Sequence, residues 1–165
     1  MALFNEDIII KQTTDPVDFA ACANIMVQTA PWITLGMSLE DCSKAFEGAY
    51  REVFVLRKGN EIIGFCIIQP QGTFKGYIQT IAIAEGYRGK GHGTRILHFC
   101  QDRILKYSPN IFICVSSFNT GALSLYTRFG FEKVGELKDF IKTGFTEILL
   151  RKTVGPTWRY QLAGN

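Results

Sequence analysis

No stretch of this chain approaches the ~18 consecutive apolar residues of a membrane span, and no basic segment followed by an apolar run opens it. Neither a transmembrane anchor nor a secretory leader is therefore expected, and the expected location is the cytoplasm. Long basic runs are missing too. The 18 lysines and arginines are interspersed with 15 acidic residues for a net charge of +3, which argues against a nucleic-acid footprint but suits an anionic small ligand. Cysteines are few and odd in number: Cys22, Cys42, Cys66, Cys100 and Cys114 lie far apart on apolar faces. Buried, reduced thiols are expected from this, and neither a disulfide framework nor a bound metal. Linkers, internal repeats and low-complexity tracts are absent. At 165 residues, 47% of them apolar, the chain suits one domain with a full core.

Glycine is plentiful where it matters. In Tyr87-Arg88-Gly89-Lys90-Gly91-His92-Gly93-Thr94, three alternate glycines and two cations stand between a strand-like and a helix-like apolar segment. Glycine admits positive φ and lets backbone N–H groups approach phosphate oxygens closely, and the start of a helix adds partial positive charge. Two familiar nucleotide loops fail on spacing. A P-loop counted from Gly86 meets His92 and Gly93 where Lys and Ser/Thr belong. A dinucleotide fingerprint counted from Gly89 meets Thr94 instead of its third glycine, and no acidic residue ends a following strand.

The remaining elements alternate. Residues 8–11 read as a strand, and Asp15 and Pro16 open a helix to about residue 28 with Phe19, Cys22, Ala23 and Met26 inward. Ser38 with Asp41 forms a capping-box signature for a second helix carrying Leu39, Cys42, Phe46 and Ala49 on one face. Strands over 52–57, 61–69 and 75–83 read as an antiparallel meander. A helix after the glycine loop ends near Lys106, and 111–115 is a short, continuously apolar run suited to a buried parallel strand. Asn119 caps a helix ending at Gly130, and strands over 132–137 and 145–151 close the sheet.

Arg88-x-x-Gly91-x-Gly93, between a strand and a helix, resembles the acetyl-CoA signature R/Q-x-x-G-x-G/A of the GCN5-related N-acetyltransferases, the GNAT superfamily. Asn119-x-x-Ala122-x-x-Leu125-Tyr126-x-x-x-Gly130-Phe131 is similar to a second segment, common in ribosomal-protein-alanine-acetylating members. The element order agrees along nearly the whole chain. The resemblance implies an α/β (α+β) GNAT fold over residues 1–152: a single domain whose mixed sheet of about seven strands splays between the fourth and fifth, flanked by four helices. Residues 153–165 are left as a C-terminal tail that either packs on a partner subunit or frays.

By that resemblance, acetyl-CoA is the co-substrate and no metal is needed. Ile81, Ala82 and Ile83 offer backbone hydrogen bonds to the pantetheine arm. Arg88, Gly89, Lys90, Gly91, His92, Gly93 and Thr94 hold the pyrophosphate, chiefly with main-chain N–H groups. His92 falls at a variable motif position and is read as passive, and His98 lies within a helix. Asn119 touches CoA, caps its helix, or does both. Tyr126 contacts the cofactor and matches the tyrosine that protonates the departing thiolate; the competing reading makes it a core residue.

The resemblance also implies transfer of acetyl to a primary amine by direct attack in a ternary complex. The acceptor is a small molecule, a peptide or protein N-terminus, or a lysine, and the enzyme is a monomer or homodimer. Relatives carry a general-base glutamate where this chain has Tyr77 or Cys114, and neither carboxylate is present. Glu147, Asp139, Glu61 or a water relay oriented by Tyr77 and Gln79 are the substitutes. The acceptor site is expected among Trp32, Leu35, Tyr50, Phe140, Glu40, Asp41 and Glu47. The missing carboxylates keep a second reading open, an acyl-CoA-binding sensor with the same fold, and a third is a homodimer scaffold.

Overall fold

The structure, a computed structural model, describes residues 8–162. In chain order the elements are β1 (Ile8–Thr13), α1 (Pro16–Val27), α2 (Trp32–Leu35), α3 (Leu39–Ser43), β2 (Glu52–Lys58), β3 (Glu61–Gln69), β4 (Tyr77–Ile83), α4 (His92–Ile104), β5 (Asn110–Ser116), α5 (Thr120–Phe129), β6 (Glu132–Lys138) and β7 (Thr146–Thr153). Seven strands form one mixed sheet in the order β1-β2-β3-β4-β5-β7-β6. β4 and β5 pair in parallel through Tyr77↔Phe112 and Ile78↔Ile113, and that ladder stops after these two pairs although both strands run on. The last hairpin enters in inverted order, so that β7, not β6, lies antiparallel to β5 along Asn110↔Thr153 to Ser116↔Glu147.

Helix starts follow local chemistry. The Asp15 carboxylate accepts the Val17 N–H at 2.9 Å, and Pro16 occupies the first turn, where its missing N–H costs nothing. Ser38 and Asp41 form the reciprocal capping box at 3.1 and 3.0 Å. The helix they open is shorter than expected. It ends at Ser43, passes into a 3₁₀ turn at Lys44–Phe46, and leaves Ala49 outside, because Gly48 and Tyr50 take φ of 98° and 66°. A further single turn, α2, was hidden in the Pro31-Trp32 segment and ends on Gly36 at φ 66°.

The chain divides into two compact units, residues up to Ile67 with Thr80–Ile96, and Ile68–Gln79 with residues from Leu97 onward. In the first, Cys22, Ala23 and Met26 of α1 pack with Cys42, Val53, Val55, Phe65, Ile67 and Ala82. In the second, Cys100, Ile104, Ile111, Ile113 and Leu150 are almost fully buried. Four cysteines are buried as expected, but Cys114 is only half-buried, and all five are free thiols. The tail bonds to its own chain at residues 154 and 160. Val154 N–H donates to the Pro109 carbonyl at 3.0 Å, and the Tyr160 hydroxyl donates to the Leu105 carbonyl at 2.7 Å. Its last three residues lie outside those described. Among the described residues no helix is long and apolar enough to cross a membrane.

Candidate active site

The first unit carries the glycine loop. Gly89 and Gly91 take φ of 71° and 84°, and a Cβ placed on either would meet no atom within 4 Å. The glycines are therefore required by backbone conformation, and the space in front of them is open. Gly93 lies in the first turn of α4 with no positive φ. That first turn has N–H groups without intrahelical acceptors, which suits an anion. Arg88 is folded back, its guanidinium donating to the Ile83 carbonyl at 3.2 Å and the Ala30 carbonyl at 3.1 Å. It braces the loop against the end of β4. Lys90 donates to the Gly86 carbonyl at 3.0 Å and lies over the Tyr87 ring. The His92 imidazole is held below its usual range, first by burial and then by the positive charges of Arg95, Lys90 and Lys58. The same cations make the mouth of α4 attractive to phosphate.

The close approach of β3 to the end of β4, which precedes this loop, depends on Gly64. A Cβ on Gly64 of β3 would lie 2.7 Å from the Ile83 side chain and 2.9 Å from the Ala82 carbonyl. Ala82 and Ile83 are buried and Ile81 is partly exposed. The available signal was a glycine inside an apolar strand, which marks close backbone approach.

The second unit carries a cavity of about 470 Å³. Tyr77 of β4 and Phe112 and Cys114 of β5 line it, with Gln69, Leu137, Leu149 and the rings of Phe74 and Phe140. The Tyr77 phenol hydrogen-bonds to the Cys114 thiol, and burial raises the pKa of both above their ordinary values. Both groups are neutral at physiological pH. Adjoining them is Glu147, 6% exposed, whose Oε1 accepts the Ser116 hydroxyl at 2.5 Å. Burial raises its carboxyl above the usual range, the Ser116 hydrogen bond opposes that shift, and no cation pairs with it among the described residues. Its negative charge is felt by both Tyr77 and Cys114. Ser116 had no sequence signal beyond being the polar residue that ends an apolar run.

Tyr126 lies in α5 with its ring buried against Phe131 at 6.0 Å between centroids. Burial, and then Cys100, push its phenol well above the ordinary tyrosine value, so that it keeps its proton. Asn119 caps α5, its Oδ1 accepting the Ala122 N–H at 3.3 Å. His98 packs edge-on against Phe129. Of the other two candidate bases, Asp139 is tied up accepting the Gly144 N–H in the β6–β7 turn, and Glu61 accepts the Tyr87 hydroxyl in the first unit. Of the residues expected around the acceptor, Phe140 alone lines the cavity. Trp32 packs on the first unit's core, Leu35 is buried, Tyr50 is 69% exposed, and Glu40 and Asp41 pair with Lys44 beside the α3 cap.

The fold is shared with known acyl-transferring proteins. The structure superposes on ribosomal-protein-S18-alanine N-acetyltransferase from Escherichia coli with a TM-score of 0.73 and 18% identity, covering 96% of this chain and 97% of that one. An aminoglycoside 6'-N-acetyltransferase complexed with coenzyme A gives 0.69 and 16%, covering 90% and 98%. At these identities the likeness concerns the fold. Residues 19–131 match the Acetyltransferase (GNAT) family, and the chain belongs to that family.

In sequence, the chain is 30% identical over 138 residues to an uncharacterized protein of Mycobacterium leprae, and 25% identical over 114 residues to an N-alpha-acetyltransferase of Sulfurisphaera tokodaii. Those stretches cover 79% and 61% of this chain, and 36% and 66% of the relatives' lengths, so the chain corresponds to less than two thirds of either.

Proposed function

We propose that the protein is an acetyl-CoA-dependent N-acetyltransferase that acylates a primary amine by direct attack in a ternary complex. The observation that carries this reading is the loop at residues 88–94: two glycines at positive φ, open space before them, a helix start behind them and three cations around His92. The residues fit the group. Main-chain N–H groups of residues 88–94 would hold its pyrophosphate, and the backbone of Ile81, Ala82 and Ile83 its pantetheine arm. When bound, acetyl-CoA supplies the acetyl group as an activated thioester.

The chain's own groups handle protons. An amine attacks only as the free base, and Glu147 is the carboxylate that accepts its proton, reached by way of Ser116 or an intervening water. Burial without a cationic partner raises the basicity of Glu147, as that task requires. By the family resemblance, Tyr126 is assigned the proton for the leaving sulfur. A backbone N–H near Ile81 to Ile83 supports the developing oxyanion, a contribution of about 10² or more in rate. A cytoplasmic location is part of the same proposal and accords with five free thiols.

Two variants test the donor side. Gly91→Glu brings a side chain and a negative charge into the loop and is expected to abolish stabilisation of the protein by CoA in thermal unfolding while leaving it folded. Unchanged CoA affinity would remove the loop assignment. Tyr126→Phe should keep CoA affinity and lower thiol release by about 10² or more; equal turnover returns Tyr126 to the core. The neutral pair Tyr77–Cys114, where relatives have a carboxylate, favours the alternative of an acyl-CoA sensor. CoA binding with no thiol release across an amine panel would select it.

A further inference from the structure

The cavity of the second unit has a chemical character that selects among amines. None of its lining side chains is a carboxylate, a lysine, an arginine or a histidine. The two titratable residues that do line it, Tyr77 and Cys114, both stay protonated at neutral pH because burial raises them. The surface offered to an acceptor is thus uncharged. Its walls are apolar, from Leu137, Leu149 and three phenylalanines, and its polar groups are neutral hydrogen-bonding ones, Gln69 among them, whose amide donates to Gln79 at 2.8 Å.

Two of the rings are left half in solvent. Phe74 is 58% exposed and Phe140 is 55% exposed, while Phe74 meets Phe112 edge-to-face at 5.1 Å. Aromatic rings presented at a cavity rim bury substantial apolar area when a matching body enters between them. Of the carboxylates on neighbouring elements, Asp139 is bound into its turn, Glu136 is paired with Lys133 at 2.7 Å, and Glu147, the one left for the proton of the attacking amine, lies outside the lining. A substrate with a second fixed positive charge would have to leave it unpaired against apolar walls, which is strongly disfavoured.

We infer that the acceptor is a primary amine borne close to an uncharged, apolar and preferably aromatic body, and that polycationic amines are excluded. This inference rests on the N-acetyltransferase reading and names its substrate class. The required chemistry occurs in two sources, a free arylalkylamine and the N-terminus of a peptide beginning with an apolar residue. A cavity of about 470 Å³ accommodates either, since small-molecule sites fall at about 300–1,000 Å³.

The test is a thiol-release assay with acetyl-CoA and four acceptors: phenethylamine, a Phe-Ala-Gly amide peptide, spermidine and kanamycin. One of the first two is expected to exceed both polycations in kcat/KM by about 100-fold or more, and which of them leads identifies the source. Spermidine or kanamycin matching or exceeding them overturns the inference while leaving the enzyme reading intact. If no amine is turned over, that reading fails separately, and calorimetric titration still decides the cavity's preference. N-acetylphenethylamine binding more tightly than N-acetylspermidine supports the inference, and the reverse order overturns it.

Phe140 is mostly exposed, so its removal should leave the fold undisturbed. Phe140→Ala is expected to raise KM for the favoured amine about tenfold with kcat and the KM for acetyl-CoA little changed. Phe140→Glu should shift preference toward spermidine. No change in KM for either variant would overturn the assignment of this wall.

Discussion

Asp18 in the first unit and Glu147 in the second are both largely withdrawn from solvent, and the two are treated in opposite ways. In the first unit Asp18 receives the Thr13 hydroxyl and the Arg57 guanidinium, both at 2.6 Å, and these partners hold its pKa below the ordinary carboxylate range, Thr13 having the largest effect. In the second unit Glu147 receives one serine hydroxyl and no cation, and its pKa is raised. A carboxylate with a guanidinium partner is stabilised as an anion and has little tendency to take a proton. One buried without such a partner is less stable as an anion and is a better base. Asp18 therefore fastens β1, α1 and β2 together, whereas Glu147 is available for chemistry.

Exchanging each carboxylate for its amide probes this contrast. Glu147→Gln keeps the shape and a partner for Ser116, and kcat is expected to fall by about 10² to 10⁴. Because the change removes a buried charge, thermal stability near pH 8 should be equal or higher. An undiminished kcat would end the role assigned to Glu147. Asp18→Asn should do the converse. It leaves the Arg57 guanidinium without its anion, costs about 1–3 kcal/mol in urea unfolding, and leaves kcat per folded molecule as it was.

The pH dependences should also run oppositely. Asp18, depressed in the folded state, contributes stability that is fully present above the unfolded value of about 3.9 and disappears as pH falls through the folded value. Glu147, raised in the folded state, has the reverse sign. No cost arises below the unfolded value of about 4.3, stability drops as pH rises from there to the folded value, and then it levels. The acid limb of kcat against pH should accordingly lie above the ordinary glutamate range in the wild type and vanish in Glu147→Gln. The smallest expected effect is that of Ser116→Ala. Losing a hydrogen bond that favours the anion should move the acid limb further upward, with kcat on the plateau changed less than tenfold. A limb that stays in place would show that Ser116 does not tune Glu147.

Much of this could be read locally. The caps at Asp15, Ser38 and Asn119 and the stop at Gly130 act within one turn of their own residues, so their patterns survive in any tertiary context. The glycine loop was readable for the same reason, since positive φ is a property of single positions. The cavity of the second unit was not. Trp32, Leu35 and Tyr50, expected around an acceptor, do not line it; their placement depends on packing in the first unit and on the turn that cuts α3 short. Phe74, Phe112, Leu137 and Leu149 look like ordinary core residues until the strands carrying them are aligned.

The glycine loop was legible in the chain alone: a strand, two positive-φ glycines and a helix start are contiguous and hence fixed by short-range sterics and backbone dipoles. Which carboxylate stands beside β5 depends instead on the tertiary structure. The last hairpin inserts β7 beside β5, which sets Glu147 opposite Ser116, 31 residues away. Strand order is set by the burial of whole faces over long loops, and no local pattern encodes it.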